Sequence, residues 1–114
     1  MTNRRGDFME PSKRDWKLYR EKVAGWQELY MERLIKGYIA YLNSDEHAST
    51  KFWEMEKCIK QDKKTPGVWI ELRKGTMIFD LVRFLQDGVI AFDDLDEFSD
   101  ELRENVRLLW ERFK

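Results

Sequence analysis

The side chains best suited to binding lie between positions 53 and 64. From Trp53, the lysines Lys57, Lys60 and Lys64 follow at +4, +7 and +11, so on a helix all four lie within about 60° of one another. A base can stack on the indole while the ammonium groups hold phosphates, and an acidic protein partner fits the same face. The alternative is that Trp53 packs beneath a neighbouring helix with the lysine stems across it.

A second charged region lies near the C-terminus. Between positions 87 and 104 there are eight acidic side chains and only one basic side chain, Arg103. On a helix we expect Glu97, Glu101 and Glu104 to share a solvated face. One interpretation is that these carboxylates are simply the solvent-exposed side of the helix. The other is that their concentrated negative charge imitates nucleic-acid phosphates or docks on a basic partner.

The residues needed for covalent or zinc chemistry are scarce. His47 is the only histidine and Cys58 the only cysteine, eleven positions apart. A nucleophile needs an adjacent base, and zinc needs three or four such ligands. We therefore predict no catalytic, cofactor-binding or metal-binding residue, and we expect that the chain is not an enzyme.

The stretch 87–95 partly matches the second half of a calcium-binding EF-hand loop. Gly88, Ile90 and Asp94 fit its sixth, eighth and twelfth positions. Counting back places Arg83 and Leu85 where the first carboxylate ligands belong, which argues against calcium. A helix ended by glycine and followed by a capped helix explains the same residues.

Asp80 is the one acid inside the apolar stretch 76–82. Carboxylates with perturbed pKa values gather at functional sites, which makes Asp80 a candidate. Arg83 stands three residues later, so a helical ion pair explains it equally well.

Apolar periodicity predicts the elements that carry these residues. The pattern favours an all-α fold, a single domain of four helices with a long N-terminal helix and a central apolar third helix. We place a flexible arm at 1–11, the domain at 12–114, and helices at about 12–43, 49–63, 66–86 and 93–113. An alternative for 67–72 is a short strand, since Val, Trp and Ile favour strands.

Local signals set the expected helix ends. Ser12 is the predicted N-cap of the first helix, with an acid three residues on, as in a capping box. Thr65 and Pro66 suit the start of the third helix, Gly88 its end, and Asp93 the cap of the fourth. On the second helix three apolar residues are expected to point inward: Phe52, Met55 and Ile59.

Composition limits the class of protein. The 114 residues include 42% hydrophobic and 38% charged side chains, with a net charge of −1. This fits a soluble domain with one core and not a disordered tail. No apolar run approaches the ~18 residues of a membrane span, and the first residues lack the apolar centre of a signal peptide. With a single cysteine, these features predict a cytoplasmic protein.

The predicted first helix is about 45 Å long, longer than the helices that must cover it. Part of it should protrude, and Leu29 and Ile39 lie off its main apolar stripe. We therefore expect a non-catalytic interaction protein that is a homodimer and acts as an adaptor, regulator or inhibitor by docking on a protein partner. The alternatives are nucleic-acid binding through Trp53 and its lysines, and phosphate mimicry by the acidic face.

Five segments carry a resemblance to a known group: YMERLIKGYI at 30–39, STKFW at 49–53, PGV at 66–68, ELRK at 71–74 and DDLDEFSDEL at 93–102. Over about residues 15–105 the chain resembles small uncharacterised helical proteins of Firmicutes-type bacteria, often encoded near mobile or phage-derived genes. The resemblance implies a bacterial, cytoplasmic setting. It implies no activity and no functional residue.

Overall fold

A computed structural model describes residues 10–113. Within this range the chain is built from helices and loops, without a strand, and two short 3₁₀ turns lie at Lys74–Thr76 and Phe92–Leu95. The α-helices are α1 (Lys13–Leu42), α2 (Ala48–Asp62), α3 (Met77–Gln86) and α4 (Asp100–Phe113). The predicted all-α domain of four helices is confirmed. The predicted arm over 1–11 lies outside the described residues except for Glu10 and the buried Pro11.

The start of α1 is also an anchor for α4. Ser12 caps α1 as predicted, its Oγ accepting a hydrogen bond from the Asp15 amide at 3.1 Å. The Asp15 carboxylate is buried and reaches across to Ser99, whose amide donates to it at 3.0 Å and whose hydroxyl also donates. Ser99 Oγ in turn accepts from the Leu102 amide in the first turn of α4. One carboxylate thus joins the N-terminal ends of two helices that are far apart in sequence.

The third helix begins later than the sequence predicts, at Met77 instead of position 66. Thr65 starts a turn and not a helix, because its carbonyl accepts hydrogen bonds from the amides of both Val68 and Trp69 at 3.1 Å. Gly67 lies so close to the ring of Tyr30 that a Cβ there would be 2.3 Å from it. The turn is therefore held against α1, and residues 69–73 run on without regular structure. Both the helix and the strand predicted for 67–72 are wrong.

The fourth helix is also shorter than predicted and starts at Asp100 instead of position 93. Asp93 does not cap it. A separate 3₁₀ turn forms there, in which Asp94 accepts from the Ala91 amide at 2.7 Å. The turn lets both Leu95 and Phe98 reach the core before α4 begins.

The end of α3 follows the prediction. Gly88 has a φ of 71°, the left-handed conformation that glycine adopts without strain. The Gly88 amide donates to the Leu85 carbonyl, and the Val89 amide donates to the Phe84 carbonyl. Arg33 of α1 donates to the Gly88 carbonyl at 2.8 Å, so the end of α3 is tied to the middle of α1.

The core lies between α3, α4 and the first half of α1. Six of the ten residues of α3 are buried, which confirms that the third helix is central. The buried residues of α1 all lie in its first half, and the rings of Tyr19, Trp26 and Phe84 meet edge to face there. The molecule measures 65 × 22 × 22 Å. The second half of α1 and all of α2 extend beyond this core.

The bridge from α1 to α4 gives a stability prediction. Asp15→Ala leaves the Ser99 amide and hydroxyl without their acceptor, and we expect it to lower the free energy of unfolding by about 2 kcal/mol. Urea denaturation measures this change. Glu21→Ala, at an exposed position of the same helix, is the control and should stay within about 0.5 kcal/mol of the unsubstituted chain. An equal effect of the two substitutions would contradict the anchoring role.

Candidate functional site

The protruding part of the molecule is a helical hairpin, made of residues 29–42 of α1, the loop 43–47 and α2. Its two helices are joined by polar contacts at both ends. Tyr38 donates to the Asp62 carboxylate near the core, and the Lys51 ammonium donates to the Leu42 carbonyl at 2.8 Å near the tip. Desolvation and the Asp62 hydrogen bond raise the pKa of Tyr38 to about 12. Within residues 10–113, α2 packs chiefly against α1, and no residue of α2 is buried.

One side of the hairpin is apolar. A groove of about 500 Å³ runs along it, lined by Leu42, Phe52, Met55 and Ile59. Ile39 and Ile35 precede Leu42 by three and seven residues, which puts them on the same side of α1. These six residues form what we call the apolar face. Glu56, Lys60 and Lys63 border it.

The prediction that Phe52, Met55 and Ile59 point inward is wrong. Phe52 is 67% exposed and Ile59 is 42% exposed, while Met55 is half-buried. Periodicity shows that a helix has an apolar side, but not that another element of the same chain covers it. Here α3 and α4 pack beside the first half of α1, so nothing within residues 10–113 reaches this side.

The two candidate contacts predicted on α1 are both exposed but do not share a face. Ile39 is 53% exposed and belongs to the apolar face. Leu29 is 63% exposed, yet it lies six positions before Ile35, which turns it about 120° around the helix. Of the two, only Ile39 therefore belongs to the apolar face.

Trp53 and its lysines form an open basic face on α2. The indole is 63% exposed and meets the ring of Phe52 edge to face at 5.1 Å, so the alternative in which a helix covers it is wrong. Lys57 and Lys60 are exposed beside it. Lys64 lies beyond the end of α2 and lines a different cleft, together with Trp69.

The predicted acidic face of the fourth helix is only partly assembled. Glu97 precedes α4 and pairs with Lys22 of α1, whose hydrogen bond and charge lower the pKa of this carboxyl. The Glu97 carbonyl also accepts from Arg14 at 3.1 Å. Glu101 and Glu104 are exposed on α4 itself. The three residues therefore do not form one helical stripe, because the helix starts three residues after Glu97.

Asp80 is buried at the start of α3. Its carboxylate accepts from the Thr76 hydroxyl at 2.8 Å and lies 3.6 Å from the Arg83 guanidinium, which confirms the predicted ion pair. Burial raises its pKa, against the opposing effects of Thr76 and Arg83. Burial and the charge of Asp80 also raise the pKa of Tyr19, whose hydroxyl has no hydrogen-bond partner among the described residues. Asp80 borders the same cleft as Trp69.

The remaining candidates for chemistry lie apart. His47 is exposed at the N-terminal end of α2, and Cys58 is half-buried against α1. Asp94, the calcium-like position, uses its carboxylate in the 3₁₀ turn. Over positions 10–113, no three His, Cys, Asp or Glu side chains come together in a way that could hold a metal ion.

Sequence reasoning missed the cleft around Trp69. The signal was present, since Lys63, Lys64 and Arg73 stand within six positions of this tryptophan. It was hidden because a helix was expected from position 66, which would have spread these side chains around its circumference. The irregular chain at 69–73 instead gathers them at one place.

Comparison with known proteins adds no relative: the chain matches no protein-family model, no curated protein and no solved structure. In the described part of the chain, no helix has the length and apolar character needed to cross a bilayer. The candidate sites are therefore supported only by the positions and contacts of their own residues.

The buried Asp80 predicts a specific pH dependence. Its pKa in the folded chain is above the ordinary 3.8, so the unfolded chain releases this proton first as pH rises. The free energy of unfolding should therefore fall as pH rises from 3.8 through the folded pKa. Asp80→Asn keeps an acceptor for Thr76 and should remove this fall, as urea denaturation across the pH range measures. The exposed Asp87→Asn is the control, and an unchanged profile in Asp80→Asn would contradict the assignment.

Proposed function

We propose that this chain is a non-catalytic cytoplasmic interaction protein, which docks through the apolar face of its hairpin, and that its first partner is a second copy of itself. The observation that carries the proposal is the exposure of that face. Ile35, Ile39, Leu42, Phe52 and Ile59 are each at least two-fifths exposed, although they are large and apolar. Contiguous patches of this kind on a small protein are typical of interaction surfaces.

The energetics favour a covered hairpin. A helix of 15 residues, the length of α2, is marginal in water by itself, so it depends on packing. In the single chain that packing comes from one side only. Covering the exposed half of a large apolar side chain is worth roughly 1 kcal/mol. The face offers the five exposed side chains named above. Docking would therefore stabilise the hairpin as well as hold the partner.

The shape of the face favours a second copy. It is formed by two antiparallel helices of similar length, with the apolar residues on one side. Two such hairpins placed face to face make a four-helix bundle, in which each apolar face covers the other. A two-fold axis makes this contact self-complementary, which is the commonest way in which identical chains associate.

The charges favour one direction for this pairing. Asp45 and Glu46 lie in the loop at the tip of the hairpin, whereas Lys60 and Lys63 border the apolar face at the other end. If the two hairpins run antiparallel, each acidic tip lies over the basic end of the other copy. A parallel arrangement would bring the two acidic tips together, which like-charge repulsion disfavours.

A dimer of this kind leaves two charged regions outside the interface. The acidic region around Glu97, Glu101 and Glu104 supports phosphate mimicry less well, since Glu97 is neutralised by Lys22. The open Trp53 face favours nucleic acid as a second candidate partner. In either case the dimer presents each surface twice, which suits an adaptor or regulator of a bacterial process.

Light scattering at about 10 μM tests this proposal, since a dimer with a micromolar Kd is well populated there. We expect a dimer for the unsubstituted chain and a monomer for Ile39→Glu with Ile59→Glu, because both carboxylates would be buried in the interface. The matched control is Leu29→Glu with Leu108→Glu, two exposed leucines away from the face, which should remain a dimer.

Circular dichroism should show that all three proteins remain folded and helical, because the substituted residues are exposed and outside the core. A chain that stays monomeric at about 100 μM would contradict self-association through this face. A control that becomes monomeric together with the face variant would contradict the location of the interface.

A further inference from the structure

The cleft missed by sequence reasoning lies between the end of α2 and the start of α3, outside the apolar face that the dimer would cover. It has a volume of about 630 Å³. One of its walls is the irregular segment 69–73, and its most exposed side chain is Trp69, at 68%. An indole this open offers a large apolar surface that a ligand can cover.

Trp69 is held in place although its side chain is uncovered. Its amide donates to the Thr65 carbonyl at 3.1 Å, within the turn that Gly67 packs against Tyr30. The next residue, Ile70, packs on the core. The indole beside it remains exposed. An anchored stretch of backbone thus presents an open, flat ring.

The cleft is positively charged. Four cations line it, Lys63, Lys64, Arg73 and Arg83, together with two carboxylates. Arg73 is paired with Glu71, and Arg83 with the buried Asp80. Lys63 and Lys64 form no ion pair with any residue between 10 and 113. Two unbalanced ammonium groups therefore stand beside the indole.

The cleft continues into the basic face of α2. Lys64 belongs to the cleft, and Lys60, Lys57 and Trp53 follow it back along the helix over about 16 Å. Two acids of α2 face α1: Asp62 accepts a hydrogen bond from Tyr38, and Glu54, after desolvation, helps to raise the pKa of Tyr41. The third, Glu56, borders the apolar groove together with Lys60. A strip of lysines thus joins two exposed tryptophans.

We infer that this strip, from Trp69 through Lys64, Lys60 and Lys57 to Trp53, binds a short stretch of single-stranded nucleic acid. A base stacks on Trp69 and a second base stacks on Trp53, while the lysines hold the phosphates between them. This combination of stacking platforms and cations suits a single strand, whose bases are free to stack, and not a duplex, whose bases are already stacked.

The strip can be tested separately from self-association. On α2 the centres of the strip and the apolar face lie about 135° apart, and the two surfaces meet at Lys60, which borders the apolar groove. Trp69 and Lys64 lie outside that groove, so substitutions there leave the apolar face unchanged. A dimer would present two strips related by the two-fold axis.

Fluorescence anisotropy with a fluorescein-labelled single-stranded 12-mer, as DNA and as RNA, tests the inference. We expect binding that weakens as salt rises, because phosphate contacts release counterions. Trp69→Ala should weaken binding about tenfold, the loss expected for one stacked base. Lys64→Glu should also weaken it and lower the salt dependence.

Matched variants keep the result interpretable. Phe113→Ala removes another exposed aromatic ring and Lys36→Glu reverses another exposed lysine, both away from the strip, and neither should change the affinity. The face variant Ile39→Glu with Ile59→Glu should still bind, which separates this test from that of the dimer.

Three outcomes would overturn the inference. One is the absence of binding at low salt, and another is equal binding by Trp69→Ala and the unsubstituted chain. The third is equal affinity for the 12-mer and for a labelled mononucleotide, because a strand that contacts both tryptophans must bind more tightly than a single nucleotide does.

Discussion

The constraint on which this structure depends is the length of α1. Its 30 residues span about 45 Å, while α3 has 10 residues and α4 has 14. Because α3 and α4 are so much shorter, they cover only the first half of α1. The other half must leave the core, and α2 folds back along it because an isolated helix in water has nothing else to pack on. The exposed apolar face is a direct consequence of this mismatch.

Three contacts between distant residues hold the surfaces in place on this frame. Asp15 joins the start of α1 to Ser99 before α4, and Arg33 joins the middle of α1 to the end of α3. The close approach of Gly67 to Tyr30 fixes the turn after α2. This last contact also positions Trp69, so the base of the hairpin and the cleft are built from the same turn. The two proposed binding surfaces are therefore neighbours on the hairpin.

The fold class was predictable because its signals are local. Ser12 caps α1 through its own hydroxyl, and Gly88 ends α3 through its own left-handed conformation, so both ends agree with the sequence. The starts of α3 and α4 were not predictable, because they depend on partners far along the chain. The turn at Gly67 packs against Tyr30 of α1, and Ser99 caps α4 while it is held by Asp15. Proline and aspartate signals near those positions form turns instead.

The candidate sites divide in the same way. The open basic side of α2 follows from spacing alone, and the Asp80–Arg83 pair is a contact within one helix. The sequence could not show whether Phe52 is covered, since coverage depends on how far the other helices extend. The Trp69 cleft was missed because an irregular chain has no period from which its side chains can be placed.

Antiparallel pairing of two hairpins is the central claim, and cross-linking between copies tests it most directly. In a Cys58→Ser background, Glu46→Cys marks the tip and Lys63→Cys marks the basic end. Within one chain these positions are separated by the length of α2, about 22 Å. A short bismaleimide that cannot span this length should therefore join only the tip of one copy to the basic end of another. Antiparallel pairing predicts a covalent dimer for the chain with both cysteines and little for either single cysteine. Efficient cross-linking by Glu46→Cys alone, or none by the doubly substituted chain, would contradict it.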